Sequence, residues 1–109
     1  MDFELYQKRS RETAVYPDKD KNPLYPALGL AGETGEVSEH IKKSLRDDAG
    51  VLTETRKQAL AKELGDVLWY VAQLATECGL SLTAIAEANL EKLASRKARG
   101  QLHGSGDDR

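Results

Sequence analysis

The sequence predicts an all-α chain, on three observations. Apolar residues recur at helical spacing along most of its length, as in Leu30, Val37, Ile41 and Leu45. No segment shows convincing two-residue alternation, so strands are not indicated. Capping residues and glycines fall where the periodic stretches start and stop.

The elements follow in order. Residues 2 to about 13 form a short helix candidate with Asp2 as its N-cap. Residues 16 to 26 hold all three prolines (Pro17, Pro23 and Pro26), and each X-Pro step disfavours helix, so this stretch reads as a loop. A second helix runs from about Leu24 or Pro26 to Arg46 or Asp47, ahead of a D-A-G turn ending at Gly50. Thr53 is the N-cap of a third helix, whose stripe is Leu60, Leu64, Val67, Val71, Leu74 and Ala75 and whose end is Gly79. Ser81 caps a fourth helix, with Leu82, Ile85, Ala86 and Leu93 as its stripe, and Gly100 stops it after Arg99. Residues 1–100 are expected to form one domain, and the tail Q-L-H-G-S-G-D-D-R, 101–109, is expected to be mobile.

A chain of 109 residues suits one domain. The net charge of -2, from nearly balanced Lys plus Arg and Asp plus Glu, argues against a broad surface for nucleic-acid polymers or anionic lipid. With no signal-like N-terminus and no membrane-length apolar run, a cytoplasmic location is expected. Cys78 stands alone and is expected as a small core residue in a reducing compartment. Only 6% of residues are aromatic, so the core should be thin and completed by oligomerisation.

The second helix carries two penalties in one place. Gly29, Gly32 and Gly35 lie inside it, each costing roughly 1 kcal/mol against alanine. Glu33 and Glu36 lie three apart, so like charges share a face. The third helix repeats the pattern with Glu63 and Asp66 around Gly65. One E-x-x-E pair on a helix is usually a solvated face. Two pairs on consecutive helices, both bordering the apolar stripe, can meet along one edge of the contact between them. Four carboxylates gathered there repel unless protonated or bound to cations, and oxygen-only ligands suit Mg²⁺, Mn²⁺ or Ca²⁺ over zinc. The glycines have a bland reading too, close helix–helix approach, which is compatible with a site.

On the fourth helix Asn89 interrupts the apolar stripe, with Lys92 and Arg96 following at helical spacing. A buried amide needs partners, and with two cations it could hold phosphate oxygens or a sugar. It could equally bond a neighbouring helix. On the second helix His40 and Lys43 extend the acidic line, with Lys42 beside it. Trp69, one turn past Asp66, could be core or interface, or could stack on a nucleobase. Tyr70 and, through the proline-rich loop, Tyr16 could lie near that base. A P-loop, a dinucleotide fingerprint and a ferritin-like E-x-x-H pair are absent, and one cysteine with two histidines argues against a structural zinc site.

Taken together, G-L-A-G-E-T-G-E-V-S-E-H-I-K-K and E-L-G-D-V-L-W-Y-V resemble the MazG-like nucleoside triphosphate pyrophosphohydrolases, of the all-α NTP pyrophosphatase superfamily. The resemblance continues into N-L-E-K-L-A-S-R and covers roughly residues 24 to 99. It implies a four-helix fold completed as a dimer or dimer of dimers. It also implies Mg²⁺-dependent hydrolysis of a (d)NTP to the (d)NMP and pyrophosphate, with Mn²⁺ as a substitute. By that resemblance Glu33, Glu36, Glu63 and Asp66 are metal ligands, Glu33 and Glu36 act at the reacting centre, and Glu36 is the candidate for orienting the water. Lys43, Lys92 and Arg96 would hold phosphates, Asn89 sugar or phosphate, and Trp69 the base. Housecleaning of non-standard nucleotides is one family role and nucleotide-pool control another. A non-catalytic nucleotide- and metal-binding module, or a sensor, is the alternative.

Overall fold

The computed structural model describes all 109 residues, and no strand occurs among them. Helix α1 (Phe3–Ser10) tightens into a 3-10 turn (Arg11–Thr13), and is followed by α2 (Leu24–Asp47), α3 (Glu54–Glu77) and α4 (Leu82–Ala98). The starts are where the caps placed them. The Asp2 side chain accepts from the Leu5 N–H at 2.8 Å, Thr53 from Arg56 at 3.2 Å and Ser81 from Ala84 at 3.2 Å. Pro23 stands at the start of α2 and caps nothing itself, but the Asn22 side chain before it accepts from the Tyr25 N–H at 3.1 Å. Pro26 falls in its first turn, where an N–H has no helical acceptor and its absence costs nothing. Both α3 and α4 end in a left-handed glycine, with Gly79 at φ 69° and Gly100 at φ 68°. The next N–H closes each end, Leu80 onto Ala75 O at 2.8 Å and Gln101 onto Arg96 O at 2.7 Å.

Helices α2 and α3 form an antiparallel hairpin, the main packing unit of the chain. Its register is set where Gly29 meets Tyr70. A Cβ at Gly29 would lie 2.2 Å from the Tyr70 ring, so only glycine admits that ring. Gly32, Gly35 and Gly65 do not share this role, because nothing lies within 4 Å of where their Cβ atoms would be. The expectation of close approach thus holds for one glycine, and the other three open onto space.

Helix α1 crosses α3 through polar contacts. The amide of the fully buried Gln73 donates to Ser10 Oγ at 2.8 Å and accepts from Arg11 at 3.2 Å. Gln7 donates to Thr76 Oγ1 and the Leu80 carbonyl, and accepts from the Leu82 N–H at 2.8 Å, so it clamps the turn between α3 and α4. The proline-rich loop is held by Glu77, whose side chain is wholly buried. Its carboxylate accepts from Arg11 at 2.5 Å and from the backbone N–H groups of Asp20 and Asn22 at 3.0 and 2.6 Å. Burial pushes this carboxyl up, but the bonds from Asn22, Arg11, Asp20 and Tyr16 outweigh it and hold it at about 2.

The single chain is open. Its radius of gyration is 16.7 Å, against about 13 Å for a compact domain of this length. Helix α4 makes its main contact with α1 rather than covering the α2–α3 hairpin. Of its predicted stripe only Leu82 is buried, while Ile85 and Leu93 are exposed. Asn89 is therefore exposed as well, contrary to the expectation of a buried amide. Cys78 is also exposed rather than core, because it caps the end of α3 where the chain turns away. Leu28, Leu45, Leu64 and Leu90 are each more than half exposed, which leaves α2, α3 and α4 with uncovered apolar faces. No helix is long and apolar enough to cross a membrane.

Candidate functional site

The Gly29–Tyr70 contact determines what meets further along the hairpin. Four residues on along α2 is Glu33, and four back along α3 is Asp66, so the antiparallel register sets these two acids opposite each other. Glu63 lies one turn from Asp66 on the same face of α3. Carboxylate oxygens of Glu33, Glu63 and Asp66 all lie within 4.8 Å of one another. Glu33 and Glu63 are half-buried and Asp66 is exposed. Glu36, the fourth acid of the pattern, is exposed and stands outside this group.

The charges in the cluster are not neutralised by the chain. No lysine or arginine pairs with any of the three, and the nearest cationic candidate is His40, whose Nε2 is 3.4 Å from Glu63 Oε1. The other ring nitrogen of His40, Nδ1, is buried without a partner. Burial raises the Glu33 carboxyl above its ordinary range, and the neighbouring charges of Asp66, Glu63 and Glu36 push it further the same way. Three converging oxygens with surplus negative charge fit a hard divalent cation.

Aromatic hydroxyls border the acids. Burial raises the Tyr70 phenol, with Tyr25, Glu33 and Asp66 adding to the shift, and burial followed by the Asp66 charge raises Tyr6. Tyr25 in turn stacks on Tyr16, with ring centroids 4.8 Å apart. Sequence reasoning placed Tyr16 and Tyr70 near a base but did not find Tyr6, which carries no motif. Trp69 is tied to α1, its indole N–H donating to the Ser10 carbonyl at 3.2 Å and to Thr13 Oγ1 at 2.9 Å. Its ring meets Tyr70 edge-on at 5.0 Å.

The cations lie further off. Lys43 is 3.8 Å from Glu39 on its own helix. Asn89 and Lys92 line a shallow hollow on α4 with Ile85 and Ala88. Arg96 is buried, and its partners are in the C-terminal tail. No hydrogen bond or ion pair joins these three residues of α4 to the acids within one chain.

Residues 22–100 match the family described as the MazG nucleotide pyrophosphohydrolase domain. The chain belongs to that family. The MazG match spans α2, α3 and α4 and so includes Glu33, Glu36, Glu63, Asp66, Lys43, Lys92 and Arg96, while α1 lies outside it. The chain is also 45% identical over 114 residues to the Gene 37 protein of Mycobacterium phage L5, across the whole of both chains. No solved structure matches.

Proposed function

We propose that this MazG-family chain hydrolyses a nucleoside triphosphate to the monophosphate and pyrophosphate, with Mg²⁺ held by Glu33, Glu63 and Asp66. The observation that carries this reading is the convergence of those three carboxylates, uncompensated by any lysine or arginine, at the α2–α3 contact. A divalent cation held by these three carboxylates would supply charge neutralisation for phosphate oxygens and a bound water of lowered pKa. Mn²⁺ presents the same preference for oxygen ligands and should substitute.

The rest is the work of side chains. Glu36, one turn beyond Glu33 and free of the cluster, orients the attacking water and is available as a further ligand. His40 steadies Glu63 from behind. Lys43, Lys92 and Arg96 hold phosphate oxygens, and Asn89 meets sugar or phosphate. Trp69, with its N–H engaged by α1, has only its ring to offer a base.

Residues 1–100 act as one domain in this reading, and a homo-oligomer completes it. The exposed leucines of α2, α3 and α4, together with a radius of gyration well above that of a compact chain, support a dimer or a dimer of dimers. The test is a pyrophosphate-release screen over ordinary, deoxy and modified NTPs with Mg²⁺ and Mn²⁺. Turnover favouring modified bases supports housecleaning. Binding without turnover across the panel would leave a nucleotide sensor instead.

A further inference from the structure

We propose that the C-terminal tail is an autoinhibitory arm, which occupies the anion site of α4 and must leave before phosphates can bind there. This rests on the reading of Lys92 and Arg96 as phosphate-holding side chains. Arg96 is 4% exposed on a helix that is otherwise largely open to solvent. All of its partners are in the tail. Its Nη2 donates to the Asp107 carbonyl at 2.6 Å and to the Gly106 carbonyl at 3.5 Å, and lies 3.7 Å from the Asp107 carboxylate. One turn earlier, the Lys92 ammonium is 3.8 Å from the same carboxylate oxygen. The tail thus presents one negative charge to both cations at once.

The fit is incomplete. Arg96 Nε is buried and has no acceptor, so the guanidinium fork is only partly used. A carbonyl takes one edge of that fork, whereas a phosphate accepts from two adjacent N–H groups together. A buried donor left without a partner is costly, which favours exchange of the tail carbonyls for a ligand that satisfies it. The end of the arm is tied back to α4, where Arg99 donates to the Arg109 carbonyl at 2.9 Å. Arg109 closes it as a loop by donating to the carbonyls of Gln101, Leu102 and Gly106, and Gly104 and Gly106 supply φ of 140° and 88° for the reversal. The Asp107 side chain is 90% exposed, so the pairs that hold it are weak and screened.

An arm of this kind lowers apparent affinity by the fraction of chains in which it is open. Inorganic tripolyphosphate, titrated calorimetrically without added metal, probes the site directly. Asp107→Ala and Arg109→Ala in the full chain should each tighten binding by about two- to tenfold, the range expected of weak exposed pairs. Lys92→Ala should weaken it and remove most of the gain from Asp107→Ala. Unchanged or weaker binding in both tail variants, with parental helix content, would overturn the proposal. Pyrophosphate release keeps the two readings apart. Tighter tripolyphosphate binding without turnover of any NTP supports the arm and ends the enzyme reading, whereas turnover with unaltered affinity ends only the arm.

Discussion

Replacing Gly29 by alanine tests the contact on which the acidic cluster depends. The new Cβ would lie 2.2, 2.4 and 2.6 Å from three atoms of the Tyr70 ring, where carbon atoms ordinarily approach no closer than about 3.5 Å. The ring must therefore move by more than about 1 Å, and it is braced by Trp69 edge-on. Overpacking of this kind costs about 1–3 kcal/mol, and disturbing the aromatic pair adds about 0.5–1.5 kcal/mol. Alanine recovers about 1 kcal/mol of helix propensity. The net expectation is a loss of about 0.5–3.5 kcal/mol, read as a lower urea midpoint at fixed protein concentration. The penalty should largely vanish in a Tyr70→Ala background, since the ring is then absent. Gly32→Ala, with nothing within 4 Å, should by contrast hold or raise the midpoint of the single chain. A Gly29→Ala midpoint at or above the parent's would refute the claim that this contact sets the hairpin register.

Asp66→Asn removes one charge from the cluster, so the metal-free variant should melt at or above the parental temperature by an amount on the order of 1 kcal/mol. Its response to Mg²⁺ should shrink and pyrophosphate release should fall by orders of magnitude; near-parental turnover would mean that Asp66 is not an essential ligand. Glu77→Gln leaves Arg11 without its buried charge partner and should cost about 3 kcal/mol, visible in thermal unfolding at pH 7. Because the Glu77 carboxyl is depressed from 4.5 to about 2, its contribution is complete above pH 4.5 and fades as the pH falls towards 2. The variant's stability should accordingly change less across that window than the parent's, and parallel profiles would remove Glu77 from the account. Lys92→Ala should mainly raise KM for the NTP, with some loss of kcat if the phosphates are gripped more tightly in the transition state. Unaltered kinetics would place the phosphate site elsewhere.

What was legible in the sequence was local. Asp2, Thr53 and Ser81 announce helix starts because a cap acts within three residues of itself, and Gly79 and Gly100 announce stops for the same reason. The meeting of Glu33 with Glu63 and Asp66 was also within reach, since each acid borders a stripe and two adjacent stripes must pack. The position of Glu36 outside that group depends on rotamer and exposure, which spacing does not encode. The pattern likewise shows that Asn89 lies among apolar residues but not whether anything covers them, and within one chain Leu82 is covered while Ile85, Asn89 and Leu93 are exposed. Glu77 was missed because its partners at Arg11, Asp20 and Asn22 are 55 to 66 residues away and belong to no repeating pattern. Spacing also gave no way to tell Gly29, which admits the Tyr70 ring, from Gly32, Gly35 and Gly65, which open onto space.

The polar seam between α1 and α3 has a consequence for how the chain acquires its structure. The hairpin of α2 and α3 closes through a short turn, an early and inexpensive loop. Helix α1 precedes the others in the chain, yet its anchors lie far ahead: Ser10 bonds Trp69 across 59 positions, and Gln7 reaches Leu82 across 75. At eight residues it is too short to persist as a helix alone. During synthesis it must therefore wait, largely unstructured, until the end of α3 and the start of α4 have formed. Docking of α1 becomes the slow, non-local step of a fold otherwise built from near neighbours. The Gln7 amide, which bonds both sides of the α3–α4 turn, then reports when that step is complete.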